Sequence, residues 1–132
     1  KTTIALFLCE IINKAVKDQS NTESLFKFLM QSFVTLDQLD GVENFHLQFL
    51  IQLSRHLGFG VHQTREVLEG GNFSPEDDEA LKSMLVGGYE ETPGLPYSRR
   101  KRLLDQLLSF YYRHIDGMTE IRSVDVLTEV LR

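Results

Sequence analysis

The sequence holds few of the residues that build thiol sites, and none of the long apolar runs that cross bilayers. Its 132 residues include one cysteine and no tryptophan. A lone cysteine excludes an internal disulfide and any cysteine-based zinc cluster, and it fits a reducing compartment such as cytoplasm. Cys9 sits among Ile4, Leu8, Ile11 and Ile12, so it is expected to be a buried small hydrophobe rather than a reactive thiol. No apolar run approaches the roughly 20 residues of a membrane-spanning helix, so a soluble chain is expected. The first residues lack the charged start and small-residue cleavage site of a signal peptide. A start at Lys1 without methionine is expected of a piece of a longer protein.

What is present is the composition of a globular domain, 42% hydrophobic and 25% charged, at a length that predicts one domain over residues 1–132. The net charge of −5 opposes phosphate binding, which Lys and Arg dominate. The acidity is local, however. Residues 66–91 carry eight acidic side chains against Lys82 alone, a net −7 that leaves +2 for the rest of the chain.

Apolar residues at 4, 7, 8, 11, 12, 15 and 16 predict an amphipathic helix ending near Asp18. Ser20 and Glu23 have capping-box spacing and open a second helix. That helix carries Leu25, Phe26, Phe28, Leu29, Phe33 and Leu36, apolar on more than one face, as expected of a helix packed between neighbours. Phe45 to Leu57 reads as a central third helix, terminated by Gly58 and Gly60. The glycine- and proline-rich stretch from Gly58 to Ser98 predicts turns, interrupted by a short helix that Ser74 and Pro75 start. Ser98 is expected to open the next main helix, with Leu103, Leu104, Leu107, Leu108, Tyr111 and Ile115 at helical spacing, until Asp116 and Gly117 end it. A last helix is expected from Ser123. The fold class is therefore all-α: a single-core domain of about five main helices plus a short one in a long acidic loop.

The motifs exclude most chemistry. His46, His56, His62 and His114 lack the pairing that zinc spacing requires; His46 and His56 are expected at helix surfaces or in a buried polar contact, and His62 in a loop. No G-x-S-x-G element supports a nucleophile. The double glycines at 70–71 and 87–88 show no phosphate-loop pattern and read as turns. The run Glu76-Asp77-Asp78-Glu79 lacks calcium-loop spacing and reads as a solvated helix start favoured by the dipole. No enzyme activity, metal or cofactor is expected.

One basic cluster stands out. Arg99, Arg100, Lys101 and Arg102 hold four of the fourteen Lys and Arg residues in the first turn of a helix, where cations oppose the macrodipole. Two readings stay open: the run meets phosphate or an acidic peptide, or it bridges to the acidic segment 66–91. Tyr97 is placed either to stack on a base or to pack in its loop. Tyr111 shares the leucine face and is expected in the core, whereas Tyr112 and Arg113 are expected to reach the surface.

Three passages carry a resemblance. They are Leu6-Phe7-Leu8-Cys9-Glu10 with Leu25 to Leu29; Phe45-His46-Leu47 through Leu53 to Phe59; and Arg102 to His114 followed by Ser123-Val124-Asp125-Val126-Leu127. On these the chain resembles the C-terminal helical domain of the RecO family of bacterial recombination mediators, over nearly its whole length. The resemblance implies an N-terminal oligonucleotide-binding barrel, absent from this chain. It also implies a cytoplasmic, nucleoid-associated role in DNA repair without bond-making chemistry: binding single-stranded DNA and its binding protein, association with RecR, loading of RecA, and strand annealing. Many relatives carry a four-cysteine zinc site after the Leu-Gly-Phe passage. Residues 60–98 contain no cysteine, so a zinc-free variant is expected, in which glycine turns and the Pro75 helix replace the metal. An apolar groove edged by basic residues is implied for the acidic, phenylalanine-ending tail of the single-strand binding protein. Arg99, Arg100, Lys101, Arg102, Tyr97, Tyr112 and Arg113 are the candidates for contact with DNA or that tail. The competing reading is a protein-only helical interaction module.

Overall fold

Among the described residues, six helices pack into one core centred on the third. A computed structural model describes residues 2–16, 22–60, 67, 74–89, 94–115, 118 and 121–130. They form α1 (Thr2–Ala15), α2 (Thr22–Gln38), α3 (Phe45–Leu57), α4 (Pro75–Val86), α5 (Tyr97–His114) and α6 (Val124–Val130), with no strand among the described residues. The all-α class is the one the periodicity predicts.

Helix α3 is buried on every side from Phe45 to Ile51, as a helix without a polar face must be. It packs against α1, α2, α4 and α5, while α6 packs on α1. Two of its polar side chains are spent on neighbours. Gln48 Nε2 donates to the carbonyls of Met84 (3.1 Å) and Gly87 (3.3 Å), and Arg55 Nη2 donates to Leu85 O (2.6 Å). Both satisfy carbonyls that the end of α4 leaves open. Tyr111 of α5 donates its hydroxyl to Leu50 O, placing it in the core as expected, and burial raises its hydroxyl well above the usual pKa.

Gly58 ends α3 in the left-handed region (φ 96°), with Phe59 N–H bonded to Ser54 O and Gly58 N–H to Arg55 O. This is a Schellman cap, which only glycine adopts without strain. Gly60 is constrained differently: a Cβ there would stand 2.9 Å from Arg55 Cα.

Four expectations need correction. Cys9 is exposed, because Ile4, Phe7, Leu8, Ile11 and Ala15 take the inward face of α1. At 100° per residue, position 9 then turns outward with Leu6 and Asn13. Helix α2 has one inward face rather than two. Leu25 and Leu36 are buried, but Phe26, Met30 and Val34 stay 63%, 52% and 50% exposed on the outer side. Helix α5 starts at Tyr97, not Ser98, since the fixed dihedral of Pro96 (φ −68°) supplies the cap position. Asp77 is buried rather than solvated. The capping role of Ser20, the loop placement of His62, the turn at Gly70-Gly71 and the stop at Asp116-Gly117 lie outside the described residues. So do residues 61–66, 68–73 and 90–93 of the loop expected to replace a metal, whose Pro75 helix is α4.

Candidate functional site

The first turn of α5 begins without help from its own side chains. Pro96 offers no capping hydrogen bond and no acidic residue occupies the turn, so four cations face the positive end of the dipole. A partner three residues into α4 explains two of them. There Ser74 caps the helix by accepting from Asp77 N–H (3.2 Å), which frees the Asp77 carboxylate to point at α5.

Asp77 is 1% exposed. Arg102 grips it with two hydrogen bonds, Nη2 to Oδ1 at 3.0 Å and Nε to Oδ2 at 3.3 Å. Arg99 Nε lies 2.7 Å from Oδ1, an ion contact without the alignment of a hydrogen bond. Burial pushes the Asp77 carboxyl up, but Arg102, by hydrogen bond and charge, and then Arg99 outweigh it and hold it below its usual value. Of the two readings of the basic run, the bridge to the acidic segment therefore holds for Arg99 and Arg102.

Arg100 and Lys101 turn the other way. Arg100 Nη1 donates to Leu95 O (2.8 Å), and Lys101 is exposed. Together with Tyr97 they edge a half-open cleft between α3, α5 and α6, of about 10 Å³, whose floor includes His46, Leu127 and Thr128. Tyr97 is half-buried against this cleft. His46 was expected at a surface or in a buried polar contact, but it is 3% exposed and its Nδ1 has no hydrogen-bond partner. Phe7 meets its ring edge-on at 6.1 Å. Burial, then the charge of Arg100, lower its pKa to about 3, so the ring is neutral. An orphaned buried polar atom costs about 1–3 kcal/mol.

Tyr112 and Arg113 belong to the far end of α5, about 15 Å along the axis from the basic turn. The Tyr112 hydroxyl accepts from Ile121 N–H (3.2 Å), which gives it a structural task. Arg113 lies over the Phe110 ring at 5.9 Å. The seven candidates thus divide into a cluster at 97 and 99–102 and a separate pair. No group of three metal-ligating side chains converges among the described residues.

Sequence reasoning passed over His46, Asp77 and Glu10. Asp77 carried a signal, since Ser74 and Asp77 have capping spacing and the third helical position is well placed to reach a neighbour. His46 carried none, because its isolation depends on α5 and α6. Glu10 accepts from Arg122 N–H (2.7 Å), Ser123 N–H (2.8 Å) and Ser123 Oγ (2.7 Å), with Lys14 at 3.0 Å. It holds the start of α6 from the opposite end of the chain.

The sequence profile described as "Recombination protein O C terminal" matches residues 1–107, through α4 and the basic turn of α5. Proteins named "DNA repair protein RecO" from Azobacteroides pseudotrichonymphae, Christiangramia forsetii and Flavobacterium psychrophilum are 30%, 32% and 31% identical over 98% of this chain. The chain spans 62%, 62% and 61% of their respective lengths. No solved structure gives a significant match. With most of its length matched by the profile, the chain belongs to the recombination protein O C-terminal family.

Proposed function

We propose that this domain is the non-catalytic helical half of a DNA-repair mediator. It binds single-stranded DNA and the acidic tail of the single-strand binding protein, and acts with RecR to load RecA and anneal strands in the bacterial cytoplasm at the nucleoid. The observation that carries this reading is a family match running through a helix start with four cations, only two of which Asp77 holds. The cluster of Tyr97 and Arg99 to Arg102 is the contact surface, and Tyr112 with Arg113 is a second, separate one. No helix of the described residues is long and apolar enough to cross a membrane, which fits partners in solution.

Fluorescence anisotropy tests this with a labelled single-stranded oligonucleotide and, separately, an acidic phenylalanine-ending peptide, each at low and moderate salt. Oligonucleotide binding that weakens steeply with salt is expected, at roughly 0.7 in log–log slope per phosphate contacted. Silence with both ligands overturns the reading.

A protein-only interaction module is favoured by one observation, the outward row Phe26, Met30 and Val34 on α2. Binding to a protein partner with no affinity for DNA at any salt would select it.

A further inference from the structure

We infer that the cleft between α2 and α3 is a subsite for one unpaired base of a single strand. The base stacks on the His56 imidazole and turns its polar edge to the Gln31 and Gln52 amides. The inference deepens the DNA-binding reading and rests on it for the strand that carries the base.

Three observations carry it. The first is a column of rings. Phe49, fully buried, stacks on Phe28 (5.5 Å, 20° between planes), and Phe28 stacks on His56 (4.4 Å, 22°). The column ends in an exposed imidazole, so one more flat ring continues it at the surface in the offset stacking that aromatic faces prefer. The second is unspent hydrogen-bonding capacity. Gln31, Gln52 and His56 line one cleft of about 530 Å³ with Ser24 and Phe28, and none of these three polar side chains has a hydrogen-bond partner among the described residues. Each amide presents donors beside an acceptor, the pattern that the edge of a base complements. The third is charge. The charged side chains of the cleft are Lys27 and Glu23, 3.6 Å apart, which leave no net charge for a phosphate or a carboxylate. The ligand is therefore a neutral ring with a polar edge. A free nucleoside needs most of its surface enclosed, whereas Ser24, Gln31 and His56 are exposed, so the cleft suits a base whose strand is held elsewhere, by the cations of α5. Bases of a duplex, stacked and paired, offer neither face nor edge to it.

The test compares three ligands on the intact chain: a short oligothymidylate, an abasic strand with the same number of phosphates, and the acidic phenylalanine-ending peptide. Anisotropy gives each affinity over a range of salt, and NMR follows the His56 ring protons. The abasic strand is expected to bind roughly 5- to 150-fold more weakly than oligothymidylate, the range that stacking of one base contributes. Only oligothymidylate should move the His56 ring protons upfield, as the ring current of a stacked base requires. His56→Ala, at an exposed position, should remove most of the difference between the strands and leave the salt slope unchanged, because stacking releases no counterions. Gln31→Ala, also exposed, should weaken oligothymidylate and not the abasic strand. Equal binding of both strands with His56 unmoved leaves the DNA reading standing and overturns this one. A base-dependent difference that survives His56→Ala places the stacking elsewhere and overturns it too. A His56 shift with the peptide and none with the strand overturns it in favour of a phenyl ring, and no binding of either strand at low salt overturns the DNA reading and this inference together.

Discussion

Protonating His46 in the folded chain places a charge among Phe7, Leu127 and the Arg100 guanidinium, with Tyr97 and Lys101 also facing its cleft. The folded pKa of about 3 lies below the usual 6.5, so the unfolded chain takes up the proton first. Stability is therefore full above pH 6.5 and falls on acidification toward pH 3, at about 1.4 kcal/mol per pH unit within that window. Urea unfolding at pH 7 and pH 5 should differ by about 2 kcal/mol from this residue, and His46→Phe should remove that difference. Asp77→Asn leaves two guanidiniums facing a neutral amide, and should cost about 1–3 kcal/mol at pH 7 in the same measurement. Apart from the Ser74–Asp77 capping spacing, none of this was legible in the one-dimensional pattern. Cys9 is set by angular register, Asp77 and His46 by partners 22 to 81 residues away, and the pattern 76–79 looks equally acidic whether or not one member turns inward.

At the scale of elements, Glu10 does for α6 what a local cap does for an ordinary helix. Seven residues are too few to be helical alone. The carboxylate satisfies two backbone N–H groups at the start of α6 while remaining 18% exposed. Burial raises its pKa, but the bonds from Ser123 and Arg122 outweigh this and bring it down to about 2. The contribution is thus present above pH 4.5 and lost as the pH falls toward 2. Glu10→Gln should cost about 2 kcal/mol near neutral pH and speed amide exchange first in α6, measured by hydrogen exchange. The outer row of α2 should behave in the opposite manner. Replacing Phe26, Met30 and Val34 by glutamine, one at a time, should each change stability by less than about 0.5 kcal/mol, because they touch no core. Helix positions were well legible, since α1 carries the 3.6-residue period and α3, α4 and α5 add a stop or start signal to it. The start of α5 shifted by one residue because proline set it. The outer face of α2 was misread because apolar composition reports burial only when a neighbour exists to provide it.

For the whole molecule, stability rests on one core organised by α3, and its largest exchange of side chains is with α5. Leu107→Ala, at a fully buried position of α5, should cost about 2–5 kcal/mol in urea unfolding, against less than about 0.5 for the α2 surface changes. The division of the candidate site into a basic turn and a remote Tyr112–Arg113 pair also belongs to this scale. Sequence proximity within one long helix suggested a single group, and a rise of 1.5 Å per residue separates them. The contact between Glu10 and Ser123 has a bearing on how the chain is made. It joins a carboxylate near the amino end to amides 112 and 113 residues later. During synthesis, which runs at about 5–20 residues per second, the first helix therefore emerges with its acidic anchor open. It waits several seconds for its counterpart, and the contact closes only once α6 has emerged from the ribosome.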